Sequence, residues 1–210
     1  TGHHYYWLGA PRAWLWVGGV FSALEPLPIL LMLVDTWRAT REGMARKVPA
    51  LTWTYLVGMA VLHFVGAGLF GFAHTLPQIN YYTHGSQVTV SHGHLAFFGA
   101  YVLMNLTFFY FAVPRLKGMA DGLYDERAGH WGFWLMSLGV VGLSLSFAVA
   151  GVLQTYLERV LGQPFMIAQQ PVRFWMLIAV LHGLMVLAGV AVTVRHLLTL
   201  RPAAAGTVAA

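Results

Sequence analysis

Residues 81–101 read Tyr-Tyr-Thr-His-Gly-Ser-Gln-Val-Thr-Val-Ser-His-Gly-His-Leu-Ala-Phe-Phe-Gly-Ala-Tyr, and this stretch decides how the chain is read. His92 and His94 stand one residue apart at the head of an apolar run that reaches Val113. On an α-helix, residues i and i+2 are rotated by about 200°, so the two imidazoles point to nearly opposite sides. They cannot share one metal as an i, i+4 pair can. Each can serve a separate cofactor, and imidazole is a usual axial ligand of haem iron. Gly93 and Gly99 are expected to leave room for a flat macrocycle against the backbone. One helix between two haems is the specific reading; two helix-start histidines bonded to water and backbone is the plain one.

Working outward, the chain is 58% hydrophobic and only 9% charged over 210 residues. A soluble domain carries about 25% charged residues, so this is the composition of a bilayer protein. The absence of cysteine excludes disulfides, thiolate metal sites and iron–sulfur clusters. Ten histidines in so apolar a chain need an explanation. The opening Thr-Gly-His-His has no basic leader, and the chain reads as a piece of something longer.

Five apolar segments are long enough to span a bilayer: 14–37, 51–75, 88–113, 131–156 and 174–194. Together they predict an all-α integral membrane protein, a single membrane domain over 1–201, followed by a disordered Ala-rich tail at 202–210. Trp14, Trp16, Trp37, Trp53, Trp131 and Trp175 lie near segment ends, where interfacial aromatics collect. Arg38, Arg41, Arg46, Lys47, Arg115, Lys117, Arg127, Arg195 and Arg201 flank alternate ends, against only Arg12, Arg159 and Arg173 on the others. That asymmetry puts the amino terminus outside and the carboxyl terminus in the cytoplasm. The pI of about 9.7 is therefore a topology signal, and no nucleic-acid partner is expected.

With that topology, His3, His4, His74, His84, His92 and His94 all fall near the outer ends of the first three segments, which points to a shared metal-containing site. His3-His4 in a loop can reach one metal, and neutral nitrogen suits iron, copper or zinc. Glu25 lies inside the first span, where a carboxylate costs roughly 2.5–3.5 kcal/mol. Pro26 and Pro28 should kink the helix there and free carbonyls for a proton path. His63 and His182 read as interhelical histidines, and His130 and His196 as residues of the membrane interface.

Thr-Gly-His-His-Tyr-Tyr-Trp (1–7), Phe-Ser-Ala-Leu-Glu-Pro-Leu-Pro (21–28) and the stretch at 81–101 together resemble the catalytic subunit of bacterial nitric oxide reductases, members of the haem–copper oxidase superfamily. The likeness continues in Ala-Val-Pro-Arg-Leu-Lys-Gly (112–118) and Ala-Gly-Val-Leu-Gln (150–154). It implies the carboxyl-terminal portion of a twelve-helix bundle in a bacterial inner membrane, in contact with lipid. His92 would then be the ligand of a high-spin haem b and His94 an axial ligand of a low-spin haem b. His3 and His4 would bind a non-haem iron, Glu25 would transfer protons, and His84 would support haem propionates. The substrate implied is NO, reduced to N2O and water. The partners implied are the remaining amino-terminal helices of the same polypeptide and an electron donor, either a cytochrome c subunit, towards which the Glu25 motif leans, or quinol. Oxygen-reducing members share the His-His pair and His-x-His, but commonly carry an aromatic where this chain has Gly93. An oxygen reductase is thus the nearest alternative, and a cofactor-free transporter or scaffold the more distant one. Two histidines cannot complete an iron site, so this stretch alone is expected to be inactive.

Overall fold

The computed structural model describes residues 2–44, 48–119 and 124–201. Arg46 and Lys47 of the first basic connection, and the tail at 202–210 expected to be disordered, lie outside the described residues. All regular elements among the described residues are helical. After a short turn at Gly2–Tyr5 come α1 (Arg12–Ala23), α2 (Pro26–Arg41), α3 (Ala50–His63), α4 (Gly71–Thr75), α5 (Pro77–Thr83), α6 (Gln87–Phe97), α7 (Met104–Leu116), α8 (Arg127–Thr155) and α9 (Phe165–Leu198). π-helical stretches at Phe64–Phe70, Phe98–Leu103 and Tyr156–Val160 continue α3, α6 and α8. These elements make five helices long and apolar enough to cross a membrane: Arg12–Arg41, Ala50–Thr75, Gln87–Leu116, Arg127–Val160 and Phe165–Leu198.

Each helix is longer than the apolar run within it, because hydropathy marks only the part suited to lipid. The difference is largest in α9, where Arg173 belongs to the helix rather than to a connecting stretch. Proline and glycine set the ends. Pro11, Pro49 and Pro164 immediately precede α1, α3 and α9, while Pro26 and Pro77 open α2 and α5, positions where a missing N–H costs nothing. Gly118, at φ 72°, closes α7: its N–H donates to the Arg115 carbonyl and the next N–H, of Met119, to that of Pro114. That paired pattern needs a left-handed residue, which glycine supplies without strain. The expected break at Glu25 is present, since α1 ends at Ala23 and α2 begins at Pro26.

Small residues set how closely the helices pack. A Cβ at Gly132, Gly139 or Gly189 would collide with Thr193, Val186 or Met136 across the α8–α9 pair. Apolar helices in lipid gain association from such close approach, not from hydrophobic burial. Gly99 behaves likewise: a Cβ there would meet the backbone of Leu62 and His63 on α3. It therefore serves helix packing and leaves no macrocycle space, whereas Gly93 faces open space.

The core concentrates at the end bearing the basic loops, around Leu51, Tyr55, Leu103, Tyr110, Phe133 and Met136. Tyr55 and Tyr110, both fully buried, stack with centroids 5.1 Å apart. His196, expected at the membrane interface, is buried among them. Its Nε2 donates to the Asp125 carbonyl at 2.7 Å, so Nδ1 is the acceptor, taking the Tyr110 hydroxyl at 3.0 Å. His182 bonds the Ile178 carbonyl of its own helix, although its ring also rests on Gly142 of α8.

Candidate metal and haem site

The Gly2–Tyr5 turn is held down by both its backbone and its aromatic residues. A Cβ on Gly2 would collide with Gly18, so the paired glycines let the turn lie directly on α1. The His3 N–H reaches Ser22 Oγ at 3.4 Å, the Tyr6 hydroxyl donates to the Thr75 carbonyl at 2.7 Å, and the Trp7 indole donates to Asn80 Oδ1 at 2.7 Å. Asn80 in turn donates to the His74 carbonyl at 2.8 Å. The result anchors His3 and His4 against the first span, the end of the second and α5.

Four of the six histidines expected at the outer ends come together. The rings of His3 and His4 have centroids 4.2 Å apart, His3 and His92 are 6.5 Å apart, and His74 stacks on His92 at 5.0 Å. His3 is 3% exposed, and neither of its ring nitrogens has a hydrogen-bond partner among the described residues. Leaving such a group unsatisfied costs about 1–3 kcal/mol. Burial pushes its pKa down to about 3, with His4 adding to the effect, so the imidazole is neutral and carries a free lone pair at pH 7. Orphaned, neutral and paired with a neighbouring imidazole, it fits a metal ligand. Among the described residues, however, no group of three or more His, Asp or Glu side chains is placed to hold a metal ion. By themselves His3 and His4 offer two neutral nitrogen donors.

His92 and His94 diverge, as their spacing requires. His92 faces the second span, where its Nδ1–H donates to the Gly66 carbonyl at 2.8 Å. Gly66 makes this bond possible, because any side chain there would run into the backbone of Leu95 and Ala96. His94 faces the other way, exposed, with Nδ1 bonded to the Val90 carbonyl at 2.9 Å and its ring 5.1 Å from Phe147 of α8. In both residues a carbonyl fixes the tautomer and leaves the Nε2 lone pair available to a ligand, the arrangement seen behind metal-bound histidines. The donor chemistry therefore suits one haem on each side of α6.

His84 and Glu25 stand apart from the four-ring cluster. His84 is exposed beneath Trp7, 5.4 Å between centroids, and its carbonyl accepts from the Arg159 guanidinium, which also reaches the Tyr81 carbonyl at 2.8 Å. Glu25, expected as an intramembrane carboxylate, is not buried within this chain. It lines a groove of about 580 Å³ with Gly2, Tyr5, Trp14, Gly18 and Ser22, and lies within electrostatic range of His4 and His63. Sequence reasoning gave no site role to Gly66, Asn80 or Arg159, while Trp7 stood in the aromatic continuation of the His3-His4 motif. Gly66 left a trace as one of three glycines within six residues of an apolar run (66, 68 and 71).

Residues 1–185 match the family described as Cytochrome C and Quinol oxidase polypeptide I. The chain belongs to that family. It is accordingly a multi-pass membrane protein of the haem–copper oxidase superfamily, whose members bind haem and metal. Among its relatives, a nitric oxide reductase subunit from Stutzerimonas stutzeri is 45% identical over 163 residues, 76% of this chain and 34% of the relative. The Cytochrome c oxidase subunit 1 homolog of Agrobacterium tumefaciens is 26% identical over 75% of this chain and 29% of its own length. Cytochrome c oxidase subunit 1 of Rhodobacter capsulatus is 26% identical over 62% of this chain and 26% of the relative. The chain thus spans about a third or less of the relatives it matches.

Proposed function

We propose that this chain supplies part of the catalytic centre of a nitric oxide reductase, which converts two NO, two electrons and two protons to N2O and water. The observation that carries the reading is the arrangement of α6: His92 presents a free Nε2 on the side of the His3-His4 turn, while His94 presents one on the opposite side. His92 would hold the high-spin haem b, His94 the low-spin haem b, and His3 with His4 the non-haem iron. When bound, these groups would supply electrons and Lewis-acid positions for substrate.

The residues of this chain do the positioning. The Gly2–Gly18 contact and the Trp7–Asn80 bond hold His3 and His4 in place, so the two substrate positions are set before NO arrives. The Glu25 carboxylate, beside that turn and open to the groove, would take up and release protons on their way from the outer face. His84, under Trp7 and tied through its carbonyl to Arg159, would support propionates. The remaining ligands would come from amino-terminal helices of the same polypeptide, and electrons from a cytochrome c partner subunit. The membrane would be the bacterial inner membrane, with the carboxyl terminus cytoplasmic and 1–201 forming one domain.

An oxygen reductase is the second reading, favoured by the two cytochrome c oxidase relatives; the higher identity to the nitric oxide reductase relative and Gly93 between the ligands favour NO. Gas consumption by the purified membrane complex decides between them, with NO uptake expected to dominate. Glu25→Gln keeps shape but cannot release a proton, so haem content should persist while turnover falls sharply. Parent-rate turnover by this variant across pH would end the proton role.

A further inference from the structure

We propose that His74 is a positioning residue that locks the ring plane of His92; the proposal rests on the reading that His92 binds the high-spin haem. A single hydrogen bond, from His92 Nδ1 to the Gly66 carbonyl at 2.8 Å, fixes where that nitrogen sits but not how the ring is turned about the bond. The ring can still rock, and rocking would swing Nε2. His74 stops it. The two imidazoles stack with centroids 5.0 Å apart and planes within 23°, in the range of offset aromatic pairs. Gly71, one turn before His74, leaves the space: a Cβ there would be 3.3 Å from His92 Cε1.

His74 is itself held rigidly. It is 4% exposed. Its Nδ1 meets the Phe70 carbonyl at 2.8 Å, and a carbonyl only accepts, so Nδ1 carries the proton. Its own carbonyl takes the Asn80 amide at 2.8 Å, and Asn80 takes the Trp7 indole at 2.7 Å. Thr89 Oγ1 lies 3.5 Å from His74 Nε2, but its one proton goes to the Thr83 carbonyl at 3.0 Å. Nε2 therefore makes no strong bond that would explain a buried histidine here, and the flat face against His92 is what the side chain provides. A metal-bound histidine needs such an outer partner to keep its orientation. The chain of contacts from Trp7 through Asn80 and His74 also couples the His3-His4 turn to the haem-side imidazole.

The test uses the complete membrane enzyme containing this chain, reduced and free of oxygen. The readout is the iron–imidazole stretching band of the ferrous high-spin haem by resonance Raman. His74→Ala removes the wall and should shift and broaden the band; His74→Phe restores a flat ring without nitrogen and should return it to the parent position and width. An unchanged band in His74→Ala overturns the proposal. So does a His74→Phe band as disturbed as that of His74→Ala, which would make the nitrogen and not the ring plane the active feature. Should His74→Ala lose the high-spin haem while His74→Phe keeps it with the parent band, the stack is supported. Loss from both, with the low-spin absorbance intact, counts against it. His92→Ala is the separate control: if the band persists there, it is the ligand assignment that fails.

Discussion

Gly66→Ala tests the close approach on which the His92 geometry depends. The added Cβ would come 2.6 Å from the Leu95 carbonyl carbon and 2.8 Å from Ala96 Cα. Both are backbone atoms of α6, so no side chain can swing away. The Ala96 backbone nitrogen would be nearer still, so restoring ordinary contact of 3.4 Å means parting the two helices by about 1 Å. Moved by that amount, the 2.8 Å bond from His92 Nδ1 to the Gly66 carbonyl stretches towards about 3.8 Å and ceases to be a hydrogen bond. Overpacking of this kind costs about 1–3 kcal/mol. The unpaired polar groups add about 1–3 kcal/mol. Replacing a helical glycine by alanine returns about 0.5–1 kcal/mol. The net expectation is a loss of about 1–5 kcal/mol, together with weakened high-spin haem binding. Denaturation of the purified complex in mixed micelles, followed by helical circular dichroism and haem absorbance, measures both. Gly183→Ala is the control: a Cβ there meets nothing within 4 Å, and the variant should match or slightly exceed the parent. A Gly66→Ala protein as stable as that control, with full haem, would refute the argument.

Tyr110→Phe should destabilise the protein by about 1–3 kcal/mol, because His196 Nδ1 is left as a buried acceptor without its donor; denaturation midpoints check it, and an unchanged midpoint would deny the hydrogen bond a role. His94→Ala should abolish the low-spin haem spectrum and electron entry, while His92→Ala perturbs the high-spin haem and spares the low-spin bands. Selective loss of the same haem from both variants would contradict their divergence on α6. For topology, a cysteine at Gln78 should react with an impermeant reagent added to intact cells, and one at Gly43 should not; the reverse pattern would invert the assigned orientation.

Much of this is legible locally. Apolar runs of about 20 residues predict spanning helices whatever their neighbours. Pro26 and Pro77 open helices and Gly118 closes one, because their effects act through their own backbone torsions and missing or freed N–H groups. The divergence of His92 and His94 is likewise a property of one helix, set by its 3.6-residue turn. The site is legible as a list of histidines and Glu25, and the family motifs suggest their roles.

What the list does not show is which of these residues meet. His74 and His92 look alike in sequence, two histidines at one membrane face, yet one holds the other's ring. Gly99, expected to leave room for a cofactor, instead seats the π-helical continuation of α6 against α3, while Gly66, which no motif marks, carries the carbonyl that orients His92. Glu25, expected to be buried, stands open on a groove. Span, cap and facing direction follow from interactions within a few residues along the chain, which a sequence states outright. Which faces touch depends on backbone approaches between residues such as Gly66 and Ala96, and in an apolar medium such contacts are selected by fit alone. Only the folded chain decided those.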